Sequence, residues 1–256
     1  MDTPQHAFAK ALAQAYRTGQ PVDSADWQDS IGQAEAAYQV QDAVAAIMQW
    51  HRADAVPTYW KSGGPSRSAV FTHAALPPAG VRGEGADFSD LRFNEPGIES
   101  EIALRLARDV TPADAAGLAD DAVDGLIDAM TVSVEIVDSR LAQGAQAPAL
   151  LRLADNQSHG ALALGEWTPY ARRDWQAQVC ETRINDQAPL RHTGTHALGD
   201  PAWLLPVWLR HVTRHGATVP AGTVVTTGTW VGVVPARAGD RVAVAFPGVG
   251  AVSLRI

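Results

Sequence analysis

The hydrophobic periodicity of the chain changes near residue 56, and this change limits the folds that are open to it. Phe8, Leu12 and Tyr16 recur at four-residue intervals, which predicts an amphipathic helix. A glycine and a proline at 19–21 then supply a helix stop. A second helical stripe consists of Ala37, Val40, Val44 and Ile47. After residue 56, frequent Gly and Pro and short alternating apolar runs indicate strands, so we expect an N-terminal helical region over 1–55 and a sheet-rich catalytic region over 56–256.

Helix and strand signals alternate through the rest of the sequence. A threonine, a proline and an aspartate within 111–114 predict a helix start, with helical structure continuing to Met130. A strand is predicted next, over 131–138. Apolar spacing over 204–212 predicts another helix. The tail over 223–256 predicts three strands separated by turns.

Bulk properties exclude several classes of protein. The 256 residues are 46% hydrophobic, which is enough for a sizeable core. A formal charge of −8 and the lack of any Lys/Arg run argue against a nucleic-acid partner. The single cysteine, Cys180, excludes an intrachain disulfide and fits a reducing compartment, so we expect a cytoplasmic protein. No signal-peptide pattern and no stretch of about 18 consecutive apolar residues is present, so we expect no membrane association.

Three acidic residues are candidates for one shared site. Glu99 and Glu101 alternate with apolar neighbours, so on a strand they share a face with Cα atoms about 6.6 to 6.8 Å apart. A solvated strand face would explain this pair equally simply. Glu135, however, lies in the apolar run 132–137, where a carboxylate needs a partner. That partner is either a metal ion or a basic side chain such as Arg140 or Arg105. If it is a metal, an all-carboxylate set without Cys or ligand-spaced His favours Mg²⁺ or Mn²⁺.

Other polar segments have both a functional and an ordinary structural explanation. Lys61 follows two aromatic residues and precedes two glycines, but a lysine is often a surface residue. The segment 226–229, Thr-Thr-Gly-Thr, can receive a carboxylate or can be a plain strand-to-turn transition. The polar cluster 155–160 is also explained by a turn. His192 and His196 have zinc-ligand spacing, but the Thr-Gly-Thr between them argues against the helix that such a site would need.

Five segments together resemble the 2-keto-4-pentenoate (2-hydroxypenta-2,4-dienoate) hydratases of the fumarylacetoacetate hydrolase superfamily. The segments are Ile-Glu-Ser-Glu-Ile-Ala-Leu at 98–104, Val-Glu-Ile-Val-Asp-Ser-Arg at 134–140, Ala-Asp-Asn-Gln-Ser at 154–158, Ala-Leu-Gly-Asp-Pro at 197–201 and Thr-Gly at 227–228. The resemblance implies an α+β fold, a mixed β-roll of the fumarylacetoacetate hydrolase C-terminal type with peripheral helices and an N-terminal helical region. It also implies a homo-oligomer.

The resemblance also implies roles for individual residues. The metal ligands would be Glu99, Glu101 and Glu135, holding Mg²⁺ or Mn²⁺, and Lys61 would be the active-site lysine. The substrate-binding residues would be Thr227, Gly228, Asp155 and Ser158. The segment 70–78 lacks the acidic residue usual in these hydratases. His73 stands there as a second catalytic candidate, and a plain loop histidine is the alternative.

The activity implied is that of a metal-dependent lyase in aromatic meta-cleavage catabolism. It would add water to a 2-hydroxydienoate or 2-oxo-enoate and give a 4-hydroxy-2-oxo acid. Two alternatives remain: a decarboxylase of the 4-oxalocrotonate type acting on a 2-oxo-3-enedioate, and a non-catalytic partner subunit of the same fold. Carbon–carbon bond hydrolysis is less well supported, because no His-Glu pair on an N-terminal lid and no Asn-Tyr motif after Lys61 is evident.

Overall fold

The computed structural model describes residues 3–52, 54–119 and 123–256, in which helices surround two β-sheets. The α-helices are α1 (Pro4–Thr18), α2 (Ala34–Met48), α3 (Pro112–Gly117), α4 (Ala149–Ala154) and α5 (Leu205–Val212). Short 3₁₀ helices lie at Ser24–Ser30, Pro78–Gly80, Asp124–Leu126, Gly144–Gln146, Asn156–Ser158 and Pro201–Leu204. In the ranges described, no helix is both long enough and apolar enough to cross a membrane.

The strands form a mixed architecture. They are β1 (Tyr59–Gly63), β2 (Thr72–Ala75), β3 (Val81–Arg82), β4 (Ala86–Asp87), β5 (Gly97–Leu106), β6 (Ile127–Val137), β7 (His159–Leu164), β8 (Thr168–Pro169), β9 (Val179–Ile184), β10 (Leu190–Thr193), β11 (Val224–Thr226), β12 (Val234–Pro235), β13 (Arg241–Phe246) and β14 (Gly250–Arg255). The larger sheet has the order β2-β1-β11-β5-β6-β7-β3, and β12 and β8 pair with β5 and β6 respectively. The smaller sheet has the order β10-β9-β13-β14-β4.

The main hydrophobic core draws side chains from both sheets and from α5. Ile102 of β5, Phe246 of β13 and Trp208 of α5 are all fully buried members of it. The antiparallel pair β5–β6 is the longest ladder and lies at the centre of the larger sheet. Both of its strands are buried along most of their length. Polar side chains on these two strands therefore point either into the core or into an enclosed site.

The N-terminal helices form a smaller core of their own. Thr3 caps α1 by accepting a hydrogen bond from the backbone N–H of His6, and Gly19 ends the helix in the left-handed conformation at φ 68°. Phe8 of α1 and Val40 of α2 pack in one apolar cluster with Leu151 of α4. Both predicted N-terminal helices are thus present. The division into domains at residue 55 stays a prediction, and Met1, Asp2 and Ala53 within the first region lie outside the described residues.

The segment predicted to be helical up to Met130 differs from the prediction. Helix α3 ends at Gly117, residues 120–122 lie outside the described part of the chain, and β6 already begins at Ile127. The reason is the ladder with β5, in which Met130 pairs with Leu104. Backbone hydrogen bonds and burial on both faces outweigh the local helical pattern here.

The tail contains four strands where three were predicted, because the short β12 adds to the ladder. Val234 and Pro235 pair with Ile98 and Gly97 at the beginning of β5. Turns at 238–239 and 247–249 separate the last three strands. The fold as a whole is the predicted α+β arrangement of mixed sheets with peripheral helices.

Candidate metal centre and active site

Three carboxylates converge on the central ladder. Glu99 lies directly opposite Glu135 in the antiparallel register, and Glu101 follows two residues along on the same face of β5. One carboxylate oxygen from each side chain lies within 4.8 Å of the other two. Glu101 and Glu135 are buried and Glu99 is half-buried. Like charges placed opposite each other repel, so this arrangement is stabilised either by a cation between or beside the carboxylates or by protonation of some of them.

Lys61 supplies part of that positive charge, and it shares one oxygen of Glu135 with His159, whose pKa burial lowers. The Lys61 ammonium lies 2.6 Å from Oε1 of Glu135, and Nδ1 of His159 lies 2.9 Å from the same oxygen. The second oxygen, Oε2 of Glu135, is buried and has no hydrogen-bond partner among the described residues. An orphaned buried carboxylate oxygen beside two further carboxylates fits a hard divalent cation, which prefers oxygen ligands.

Glu101 is held by the segment that follows strand β11. Its Oε2 accepts hydrogen bonds from the hydroxyl of Thr226 and, at 2.9 Å, from the backbone N–H of Gly228. The Thr226 hydroxyl also contacts the Ser133 hydroxyl at 2.9 Å. Since one oxygen of Glu101 takes both bonds, the carboxylate is fixed while its other oxygen remains available as a ligand.

The environment shifts the pKa values of these groups in opposite directions. Burial raises the pKa of Glu99 to about 8 and that of Glu101 to about 7, against the opposing effect of Lys61. Burial also disfavours the charged form of Glu135, but the Lys61 charge and the His159 hydrogen bond outweigh it and hold its pKa below the usual value. For Lys61, burial is outweighed by the charge of Glu135, which raises the lysine pKa. Without a bound cation, Lys61 is therefore a protonated partner of Glu135.

A cavity of about 850 Å³ opens above the carboxylates. Lys61, Glu99 and Glu101 line it together with Thr227 and Gly228. Part of its wall is apolar, with Val137, Leu141, Ala142, Ala197, Leu198 and Val233. A volume in the range of about 300 to 1,000 Å³ is typical of small-molecule sites. The lysine and the carboxylates thus share one enclosed space that is large enough for a small organic acid.

His73 lies outside this cavity, contrary to the catalytic role predicted for it. In the β1–β2 register, Lys61 and Thr72 point to the cavity face, and His73 pairs with Ser62 on the opposite face. His73 Nδ1 lies 2.8 Å from the Ser62 hydroxyl, and the ring packs 4.4 Å from that of His211. Burial lowers the pKa of His73 to about 3, so it is a neutral histidine in the packed interior.

Asp155 also does not line the cavity, which corrects its predicted contact with the substrate. It is 0% exposed, and its oxygens accept hydrogen bonds from Arg140 and from the Ser139 hydroxyl. Arg140 is thereby occupied by Asp155, and Arg105 is paired with Asp128 on the surface. Neither arginine considered as the partner of Glu135 therefore contacts it.

The other predicted substrate-binding residues lie at the cavity wall. Ser158, Thr227 and Gly228 all line it. The Thr227 hydroxyl donates to the Ile102 carbonyl at 2.7 Å, which leaves its oxygen lone pairs as acceptors. The Gly228 N–H is occupied by Glu101, so this donor orients a candidate metal ligand.

Sequence reasoning missed three residues at the site. His159 contacts Glu135, and the Gln157 carbonyl accepts from the Lys61 ammonium at 3.3 Å. Both belong to the polar cluster 155–160, so the cluster was noticed but its contacts were not. His196, which was considered and set aside as a zinc ligand, places Nε2 2.9 Å from the Thr227 carbonyl. Because a carbonyl can only accept, Nε2 carries the proton.

Comparisons with known proteins agree with this geometry. The family model described as fumarylacetoacetate (FAA) hydrolase C-terminal matches residues 27–256. The chain is 32% identical to 2-keto-4-pentenoate hydratase 1 of Dechloromonas aromatica (strain RCB) over 179 residues, covering 67% of this chain and 64% of that protein. It is 30% identical to 2-keto-4-pentenoate hydratase of Paraburkholderia phymatum over 196 residues, covering 74% and 69% of the two chains. The chain thus spans just under two thirds of the Dechloromonas relative.

A solved structure extends the likeness to the whole fold. The 4-oxalocrotonate decarboxylase from Pseudomonas putida G7, complexed with magnesium and adipate, superposes with a TM-score of 0.80. The match covers 98% of this chain and 96% of that one at 21% identity, so it speaks for the fold alone. Mixed sheets with three convergent carboxylates and a lysine beside one cavity define the class, a fold of the fumarylacetoacetate hydrolase type whose acidic triad could bind a divalent metal. The chain belongs to the fumarylacetoacetate (FAA) hydrolase C-terminal family.

Proposed function

We propose that this protein is a metal-dependent hydro-lyase that adds water to a 2-hydroxydienoate, or to its 2-oxo-enoate tautomer, and forms a 4-hydroxy-2-oxo acid. The observation that carries the proposal is the convergence of the Glu99, Glu101 and Glu135 carboxylates beside the Lys61 ammonium, next to a cavity that Lys61, Glu99 and Glu101 line. Hydratases named for 2-keto-4-pentenoate and 2-hydroxyhexa-2,4-dienoate are among the relatives at about 30% identity, the latter from Comamonas testosteroni at 29%.

The three carboxylates would hold Mg²⁺ or Mn²⁺, the hard cations that an all-oxygen set favours. Such an ion supplies Lewis acidity toward the carboxylate and 2-oxo oxygens of the substrate. Oε2 of Glu135 is the available oxygen of that residue, since Oε1 is held by Lys61 and His159.

Lys61 is the group that would move protons. Its ammonium lies at the cavity floor, held by the Glu135 carboxylate and the Gln157 carbonyl. When positive charge neutralises the carboxylates, the cause of the raised lysine pKa is removed, and Lys61 becomes able to give up and regain a proton. Overall, the hydroxyl of one water bonds to C4 of the dienoate, C5 takes up the other proton of that water, and C3 takes up a proton as the 2-hydroxyl loses its own and becomes the 2-oxo group, so no redox partner is required.

The cavity wall would orient the acid and control access of water. The hydroxyl groups of Ser158 and Thr227 line the wall and can contact polar groups of the substrate. Val137 and Leu198 provide apolar surface for the carbon chain.

The test is a reaction of the Mg²⁺-loaded protein with 2-hydroxypenta-2,4-dienoate. We expect loss of the diene absorbance, formation of the 4-hydroxy-2-oxo acid and no release of CO₂. Lys61→Met should abolish turnover. Lys10→Met, which replaces the other lysine in the sequence, should behave as wild type. Turnover that survives Lys61→Met would remove the lysine from the proposal.

Metal-dependent decarboxylation of a 2-oxo-3-enedioate is the second candidate. Arg152 favours decarboxylation, because this residue lines the same cavity. Its Nε donates a hydrogen bond to the Ala147 carbonyl at 3.0 Å. In the described part of the chain, no carboxylate forms an ion pair with Arg152, so its terminal amino groups can receive a second carboxylate of a substrate. The structural neighbour solved with adipate, a dicarboxylic acid, is itself a decarboxylase. Release of CO₂ from a 2-oxo-3-enedioate, without hydration of the monoacid, would favour this candidate.

A non-catalytic partner subunit is the remaining alternative. Titration with Mg²⁺ separates it from an enzyme, since a subunit that kept the fold without the function would not preserve metal affinity.

We also propose that the protein assembles as a homo-oligomer. Light scattering measures the assembly directly.

A further inference from the structure

The turn that holds Lys61 and Glu135 has an unfavourable backbone. Asn156, Gln157 and Ser158 have φ values of 47°, 53° and 58°, and none of them is a glycine. Three consecutive side-chain-bearing residues in the left-handed region persist only when the surroundings impose the conformation. This turn nevertheless presents the Gln157 carbonyl to Lys61 and leads directly into His159, which contacts Glu135. Something outside the turn must therefore hold it.

Arg140 makes contacts to both ends of the turn. Its Nε donates to Oδ1 of Asp155 at 2.6 Å, and its Nη2 donates to the Asp155 carbonyl at 2.9 Å. Its Nη1 donates to the His159 carbonyl at 2.5 Å. The backbone N–H of Arg140 donates to Oδ2 of Asp155 at 3.0 Å. One planar guanidinium thus spans the beginning and the end of the turn, a geometry that lysine cannot reproduce.

The pair is enclosed from the side of the N-terminal helices. Arg140 is 5% exposed and Asp155 is 0% exposed. The ring of Tyr16, on α1, lies 4.3 Å from Cζ of Arg140. A buried ion pair contributes little net stability by itself, because desolvation offsets the attraction. Its value here lies in the defined geometry that it imposes on the turn.

We propose that Arg140 and Asp155 are positioning residues, which fix the 156–158 turn so that Gln157 and His159 hold Lys61 and Glu135 in their working places. Tyr16 packs against Arg140 and so links this positioning role to helix α1. The kinetic part of the inference rests on the proposed function, whereas its metal-binding part does not.

The chain offers a matched control for this pair. Arg105 and Asp128 form an ion pair of the same residue types, with Nη2 2.7 Å from Oδ2. That pair is partly exposed, at 35% and 42% of the side-chain areas, and neither residue lines the cavity. Equivalent substitutions at the two pairs therefore separate the loss of an ion pair from the loss of positioning.

The experiment compares Asp155→Asn and Arg140→Lys with Asp128→Asn and Arg105→Lys. Mg²⁺ affinity is measured by calorimetry, and kcat and KM are measured with the dienoate. For the Arg140 and Asp155 variants we expect metal affinity and kcat each to fall about tenfold or more, as for other residues that orient metal ligands. KM should change less than kcat, because the turn positions Lys61 rather than the substrate. The control variants should stay within about twofold of wild type in all three values.

Folded protein is verified by circular dichroism, and values are expressed per folded molecule. If Asp155→Asn does not fold, Arg140→Lys, which keeps the charge, decides. A crystal structure of Arg140→Lys should show that the contact between Lys61 and Gln157 is broken. Tyr16→Leu should also lower kcat, by a smaller factor than the Arg140 and Asp155 substitutions. Folded variants with unchanged metal affinity and unchanged kcat would overturn the inference. If wild type lacks hydratase activity, the proposed function fails, and the metal affinities still test the positioning role.

Discussion

At Glu135 the two carboxylate oxygens have separate partners. Oε1 accepts from Lys61 and His159, and Oε2 is buried without a partner in the described residues. This separation would let one side chain bind a protein cation and a metal cation at once. A metal bound there would be electrostatically coupled to Lys61, because each would reduce the need for the other's charge.

Substitution of Glu101 tests the metal site at the level of one residue. Glu101→Gln removes one of the three charges, so we expect Mg²⁺ affinity to fall about tenfold or more. Without bound metal, the Glu101→Gln variant should have an unfolding free energy about 1 kcal/mol higher than wild type at pH 8, because a buried charge next to Glu135 is lost. Calorimetry and thermal unfolding measure the two effects. Glu181→Gln, at a surface ion pair with Arg191, is the control and should change neither.

Metal binding should depend on pH between about 6 and 9. Burial raises the pKa of Glu99 to about 8 and that of Glu101 to about 7, so protons compete with the metal below these values. Mg²⁺ affinity should therefore rise with pH through this window, with protons released on binding. Because the raised pKa values favour the neutral carboxyls in the folded state, their contribution to stability begins to fall above the ordinary pKa of 4.5 and is lost by about pH 7 to 8. The rise in Tm caused by Mg²⁺ should be larger at pH 8.5 than at pH 6, and an equal rise at both would contradict these pKa values.

Residues within an apolar strand pattern could be predicted as site residues, whereas those placed by tertiary contacts could not. Glu135 interrupts a run that is buried on both faces, and Glu99 and Glu101 share a strand face, and both features followed from periodicity. The pairing of β5 with β6, which places Glu135 opposite Glu99, did not follow from it. The predicted roles of these carboxylates are proposals. His73 shows the limit: sequence did not fix which face of β2 would meet Lys61, and the actual register places Thr72 there.

At the scale of the elements, the close contact between β6 and β7 fixes the site geometry. A Cβ at Gly160 would lie 2.7 Å from the Ile136 carbonyl oxygen, which belongs to the backbone of β6 and cannot move aside cheaply. Gly160 also adjoins His159, whose ring contacts Glu135. The absence of a side chain at this position therefore permits the approach of the two strands.

Gly160→Ala should consequently force β7 away from β6. We expect a loss of about 1 to 3 kcal/mol in unfolding free energy, the usual cost of overpacking, together with weaker Mg²⁺ binding. Denaturant unfolding and calorimetry measure these quantities. Gly83→Ala is the control, since a Cβ there has no neighbour within 4 Å. Equal stability of the two variants would show that the β6–β7 contact tolerates a methyl group.

Element boundaries were harder to predict than element types. The glycine stop of α1 followed from a local signal, and the cap of α3 at Thr111 did as well. The beginning of β6 did not, because Ile127 to Met130 are extended by pairing with β5 rather than by their own pattern. Short strands such as β12 depend wholly on a neighbouring strand and carry no signal of their own.

For the molecule as a whole, the fold and the family could be predicted from the sequence, and the comparisons confirm both. Five short segments sufficed, and each of them contributes residues to the lining of one cavity. The contact between Tyr16 of α1 and Arg140 could not be predicted, since it joins residues far apart in the chain.

The central claim is that Glu99, Glu101 and Glu135 bind one divalent cation. The most direct measurement is an anomalous difference map from crystals grown with Mn²⁺. The account predicts a single strong peak about 2.1 Å from one oxygen of each carboxylate, with Oε2 as the ligand atom of Glu135 and Lys61 still at Oε1. A map without a peak among these three side chains, or with the metal bound elsewhere, would contradict it.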